Sequence, residues 1–143
     1  MIALPDVNVL LALAWTNHVH HDAAHRWFSS ASANGWATCV LTQSAFLRLS
    51  MNPHVVHATI DCATARQLLS GLVAHSKHQF IADSQAVTAS SFDPLVPRIR
   101  GYQQLTDATL LWFAKCHGLE LTTFDQGIAT WSPWPGVVKL LAA

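Results

Sequence analysis

Short apolar runs, each stopped by a proline, an acid or a small polar residue, alternate along this chain with segments of helical period. That alternation leaves few folds open. Met1–Leu4, Trp36–Leu41, Gln79–Ala82, Leu119–Thr123 and Val137–Leu141 read as strands. Between them lie helical stretches: Val7–Ala14 behind Asp6, then His20–Ser30 with Ala24, Trp27 and Phe28 on one side. Thr42 is expected to cap a helix carrying Phe46, Leu47 and Leu49, which Asn52-Pro53 ends. Further helices are expected over Asp61–Ala74, over Thr106–Cys116 with Gly118 at its C-cap, and over Asp125–Trp131. Asp83–Tyr102, which holds Pro94 and Pro97, is expected to be a loop. A strand followed by a helical crossover pairs in parallel with the next strand, so the expectation is an α/β domain with a mainly parallel sheet. No repeat or linker interrupts the pattern, and residues 1–143 are read as one domain.

Composition narrows the class further. Of the residues, 51% are hydrophobic and 11% charged, which excludes a disordered chain and supplies a full core. Eight basic residues balance eight acids, so there is no global field to attract nucleic acid, and an anionic substrate needs local contacts. The cysteines, Cys39, Cys62 and Cys116, form no C-x-x-C pair and read as free thiols of a reducing compartment. The apolar run Val9–Trp15 is too short to cross a bilayer, and a soluble, cytoplasmic protein is expected. His21 and His25 share a helix face, but Asp22 stands where a zinc protease motif needs Glu, so they read as structural.

Of the eight acids seven are Asp, and three of these fall where a strand gives way to a helix. Asp6 follows the first strand, Asp125 follows Leu119–Thr123, and Asp107 opens a long helix. Each alone is explained as a cap, its carboxylate accepting from free N–H groups. In a parallel sheet, however, Asp6 and Asp125 share the carboxyl edge, where ligands of open α/β sheets collect. Asp107 joins them if its helix starts there. Carboxylates gathered in this way repel one another and suit a hard divalent cation.

The same junctions carry a family resemblance. Leu4-Pro5-Asp6-Val7-Asn8-Val9-Leu10, Thr42–Leu49, Gln104-Leu105-Thr106-Asp107-Ala108-Thr109-Leu110-Leu111 and Leu119–Gly127 occur in the order found in PIN-domain ribonucleases. The chain resembles in particular the VapC toxins of bacterial toxin–antitoxin pairs. The resemblance implies a PIN-like three-layer α/β/α sandwich whose acidic pocket holds Mg²⁺ or Mn²⁺. It makes Asp6 and Asp107 the chief metal ligands, Asp125 the C-terminal acid, and Asn8 and Thr123 polar residues lining the pocket. It also implies a homodimer, held inactive by a VapB-type antitoxin, acting on structured RNA such as tRNA or ribosomal RNA. One position departs: where the family usually has an acid in the helix after the second strand, this chain has Gln43. That predicts weaker metal binding, which Gln43→Glu would tighten, with Ser44 adjusting a water nearby.

The chemistry so implied is metal-assisted hydrolysis of a phosphodiester, with Asp125 orienting the attacking water. Arg48, one helical turn beyond Gln43 and Ser44, is the first candidate for a phosphate contact, followed by Arg98, Arg100 and Lys77. Arg98 and Arg100 stand near Tyr102, a combination suited to unpaired nucleotides and equally to solvated surface. A catalytically weak or inactive module that grips RNA or protein is the competing reading, and Gln43 is its support. A phosphatase using Asp6 as nucleophile is disfavoured, because D-x-D is here Asp6 and Asn8.

Overall fold

A computed structural model describes residues 1–143. Five short strands, β1 (Ala3–Pro5), β2 (Trp36–Thr38), β3 (His78–Phe80), β4 (Glu120–Thr123) and β5 (Val138–Leu140), form one sheet in the order β3-β2-β1-β4-β5. Every pairing is parallel. The helices are α1 (Val7–Ala14), α2 (His21–Ala31), α3 (Val40–Ser50), α4 (Pro53–Val56), α5 (Cys62–Val73), α6 (Leu105–His117) and α7 (Gln126–Trp131).

Both faces of the sheet are buried, as all-parallel pairing requires. Alternate residues of one strand serve opposite faces. Ala3 and Trp36 pack with Leu10, Leu11, Phe46 and Leu69 of α1, α3 and α5. Leu4, Ala37 and Leu121 pack on the other side with Leu111, Phe113 and Ile128 of α6 and α7. The expected three-layer α/β/α arrangement is therefore the one the chain adopts.

Differences from the sequence expectation are local and have physical causes. Pro5 belongs to β1 rather than stopping it. Lacking an N–H, it cannot donate to a neighbouring strand. β1 keeps three registered pairs with β4, whereas its ladder with β2 is the single pair Ala3↔Trp36. The second strand ends at Thr38, and α3 begins two residues before Thr42. Cys39 is the cap, and the Thr42 hydroxyl accepts from the Cys39 N–H at 3.1 Å. Asn52 and Pro53 do more than end a helix, because the Asn52 side chain caps the one-turn α4. Residues Ser90–Arg98 form 3₁₀ turns that bury Phe92 and Leu95 against α6, so the expected loop is partly ordered.

The α6 face is the larger core, and Leu111 is wholly buried in it. Leu111→Ala should destabilise the protein by about 2–5 kcal/mol. This would be read as a lower urea midpoint at an unchanged m-value.

Candidate functional site

Strand order reverses between β1 and β4, and Asp6 leaves the carboxyl end of β1 at that switch point. Its backbone N–H still donates to Thr122 of β4 at 2.9 Å. Its side chain then turns back to cap α1, Oδ1 accepting from the N–H groups of Asn8 at 3.0 Å and Val9 at 3.2 Å. Oδ2 accepts from the hydroxyl of Thr123, at the end of β4. The Thr123 oxygen in turn accepts from the Asp125 N–H at 3.0 Å. Asp6 is only 4% exposed. Burial pushes its carboxyl above the ordinary 3.8, opposed by the hydrogen bonds from Thr123, Val9 and Asn8, while the charge of Asp125 adds to the rise.

Asp107 approaches from α6. It is the third residue of that helix, not its cap, so the capping role available from sequence is unfilled. Its carboxylate accepts no hydrogen bond within the chain. It lies with Asp6 in a small cleft whose walls include Thr42, Ala45, Thr106 and Leu110. Burial raises the Asp107 carboxyl to about 6, with the charges of Asp6 and then Asp125 adding to it. Asp125 itself is exposed and caps α7, Oδ1 accepting from the Gly127 N–H at 2.7 Å. A Cβ on Gly127 would meet that Oδ1 at 3.0 Å, so the tight cap depends on glycine.

Two of the three aspartates thus do cap helices, and Asp107 does not. No three His, Cys, Asp or Glu side chains converge closely enough to form a cation's ligand set unaided. The cleft offers a pair, Asp6 and Asp107, and Asp125 acts on both through its charge. An unbonded, charge-strained carboxylate beside a fixed one is oxygen chemistry that fits Mg²⁺ or Mn²⁺.

The remaining sequence candidates are dispersed. Gln43 is not brought into the cleft. Its side-chain amide donates to Thr38 at 2.9 Å, and with Ser44 it lines a separate groove containing Arg66 and Ser70. Helix α3 begins at Val40, and its cleft-facing residues are Leu41, Thr42 and Ala45. An i, i+3 reading from that true start was the signal available for them. Asn8 is exposed and serves Asp6 through its backbone, whereas Thr123 is buried between Asp6 and Asp125. Arg48, Arg98 and Arg100 are exposed outside the cleft walls, and Arg98 donates to the Trp131 carbonyl at 2.8 Å. Lys77 lies just before β3, at the opposite edge of the sheet. His21 and His25 are fixed structurally, bonded to the carbonyls of Ala12 and Leu13 at 2.7 and 3.0 Å.

With this geometry in place, comparison with known proteins is informative. No family model matches the chain. It is 46% identical over 129 residues to ribonuclease VapC38 of Mycobacterium tuberculosis, an alignment covering 90% of this chain and 89% of that one. It is 38% identical over 141 residues to ribonuclease VapC39 of the same organism, covering 99% and 100%. The fold resembles Rickettsia felis VapBC2 bound to a DNA fragment from their promoter, with a TM-score of 0.71 and 13% identity over 99% of this chain and 100% of that one. It also resembles M. tuberculosis VapC20, a Sarcin-Ricin loop cleaving toxin, with a TM-score of 0.67 and 15% identity over 98% and 99%.

Two outcomes are expected from the site's electrostatics and placement. Between pH 3.8 and about 6 the folded chain holds the Asp107 proton more tightly than the unfolded chain does. Stability therefore falls as pH rises through that window, and the whole cost is present above it. Solvent access reduces that cost to about 1 kcal/mol. Asp107→Asn should accordingly raise Tm in chelator at neutral pH and flatten the fall in stability; an unchanged pH profile would place the carboxylate in open water. Gln43→Glu, for its part, should leave Mg²⁺ or Mn²⁺ affinity unchanged in titration calorimetry, since the side chain faces another groove.

Proposed function

The chain belongs to the VapC family of PIN-domain ribonucleases, the toxins of toxin–antitoxin pairs, and we propose that it hydrolyses structured RNA at the cleft between Asp6 and Asp107 with Mg²⁺ or Mn²⁺. The observation carrying this reading is Asp107, a carboxylate without an internal hydrogen bond, held against a buried second carboxylate. Carboxylates placed so cost stability, and a bound cation removes that cost.

Asp6 and Asp107 would hold the cation, with Asp125 completing its surroundings. A cation held there would supply Lewis-acid polarisation of the phosphate and countercharge for the attacking and leaving oxygens. The chain's own residues supply position. Asp6 is locked by three donors, so its oxygens do not wander when Asp107 adjusts. Thr123 transmits that order to Asp125. Asp125 Oδ1 is committed to Gly127, which leaves Oδ2 to accept a hydrogen bond from the attacking water and aim it. Hydrolysis by water requires no ribose hydroxyl as nucleophile and, with the 3′-oxygen as leaving group as the family resemblance implies, would give a 5′-phosphate and a 3′-hydroxyl.

The substrate class we propose is tRNA or ribosomal RNA; the Sarcin-Ricin loop cleavage named for the VapC20 neighbour supports the second. Arg48, Arg98 and Arg100 are proposed to meet phosphates outside the cleft. A VapB-type antitoxin as partner is supported by the VapBC2 complex, and a homodimer is proposed from the family. No helix is long and apolar enough to cross a membrane.

The test is cleavage of a mixed pool of structured RNAs by chain purified free of antitoxin. Cutting should require Mg²⁺ or Mn²⁺, stop with chelator, and vanish in Asp6→Asn and Asp107→Asn. Thr123→Val, which strips the hydroxyl from Asp6, should slow it by about 10–100-fold. Cutting that persists in chelator would overturn the metal reading. Failure to cut any structured RNA would leave an RNA- or protein-gripping module in its place.

A further inference from the structure

We propose that His20 contacts the RNA, its imidazole holding a phosphate next to the one being cut. This rests on the reading that the neighbouring cleft cuts RNA. His20 immediately precedes α2, and its ring lies stacked on Phe124, with centroids 4.4 Å apart and planes 18° from parallel. Phe124 stands between Thr123, which bonds Asp6, and the acid Asp125. Phe124 also packs on Ala12, Leu13 and Ala24, so the stack is anchored in the core.

The adjacent histidines show what an imidazole does here when its task is structural. His21 and His25 each bond a carbonyl of α1, and His18 Nδ1 accepts from the His20 N–H at 3.0 Å. His20 differs from them: neither of its ring nitrogens has a partner in the chain, although the ring is half-buried and stacked. A side chain already immobilised loses little entropy when it binds. An imidazole N–H can donate to a phosphate oxygen in either charge state of the ring. The cleft needs such a donor. Its carboxylates repel a phosphodiester, and no Arg or Lys is among its walls. His20, stacked on the residue between Thr123 and Asp125, supplies a hydrogen-bond donor outside those walls.

Three variants separate contact from stacking. His20→Phe keeps the stack and removes both nitrogens; His20→Gln keeps a donor without the stack; His20→Ala loses both. The probe is a labelled RNA stem-loop that the wild-type chain cuts, with KM, kcat and Tm measured separately. His20→Phe should raise KM about tenfold, with kcat within about twofold and Tm unchanged, and His20→Gln should fall between. A wild-type KM in His20→Phe would mean that the ring only buttresses Phe124, and would overturn the proposal. So would a loss confined to kcat. If the wild-type chain cuts no RNA, the cleavage reading has failed by itself. His20 is then decided by anisotropy of a single-stranded RNA oligonucleotide in chelator, where equal affinities of wild type and His20→Phe overturn it.

Discussion

The hydrogen bond from Thr123 to Asp6 joins the two strands on either side of the sheet's switch point, and most of the site depends on it. Asp6 has left β1 and Thr123 closes β4, so the bond fixes one strand end against the other. The same carboxylate orders the first turn of α1 through Asn8 and Val9. The same hydroxyl accepts from Asp125 and sets where α7 begins. A buried charge would be costly alone; with three donors around it, it becomes a fixed point. Pro5 contributes from the backbone side, ending the β1–β2 ladder early while β1 stays registered with β4.

Formal neutrality of the whole chain hides a strong local field. Acids are few, yet Asp6, Asp107 and Asp125 act on one another at the carboxyl edge of the sheet. The site is thus electrostatically specialised in a protein without long-range attraction for nucleic acid. Recognition must come from short-range groups around the rim. Arg48, Arg98 and Arg100 are exposed outside the cleft walls, and Arg98 is partly engaged by a carbonyl. Affinity of this kind depends on placed contacts more than on steering, so single rim residues should matter individually.

Much of this was legible in the sequence because it rested on periodicity. Strands of three or four residues could still be found, since the alternation of apolar runs and helical segments survives errors of a residue or two at their ends. Asp6 and Asp125 were legible for the same reason, as Asp6 directly follows β1 and Asp125 lies two residues beyond the end of β4. Gln43 was not, and the cause is angular. An α-helix turns 100° per residue, so with Thr42 and Ala45 facing the cleft Gln43 is carried round to another groove, and nothing local in the sequence says which of these phases packs on the cleft. The 3₁₀ turns of Ser90–Arg98 were hidden because Pro94 and Pro97 suppress the helical signal while permitting short turns. The stack of His20 on Phe124 joins residues more than a hundred positions apart, and no local pattern encodes it.

Asp6 and Asp107 carry the site's cost in different ways, and the difference suits catalysis. Asp6 is raised by burial, but three hydrogen bonds oppose the rise and hold it still. Asp107 has no such bonds, so no hydrogen bond opposes burial and the two neighbouring charges. As ligands of the proposed cation, one would therefore be preorganised and the other free to adjust. Were both locked, the two would have to match an ion's radius without adjustment. Were both loose, each would lose freedom on binding, and affinity would fall. Placing Asp107 in the first turn of α6 limits its freedom to side-chain rotation, since its backbone is held by the helix. The helix dipole there favours the charged form, a modest aid that leaves the carboxylate's oxygens unused. A fixed acid at a strand end and an adjustable acid at a helix start would thus be complementary halves of the proposed cation site.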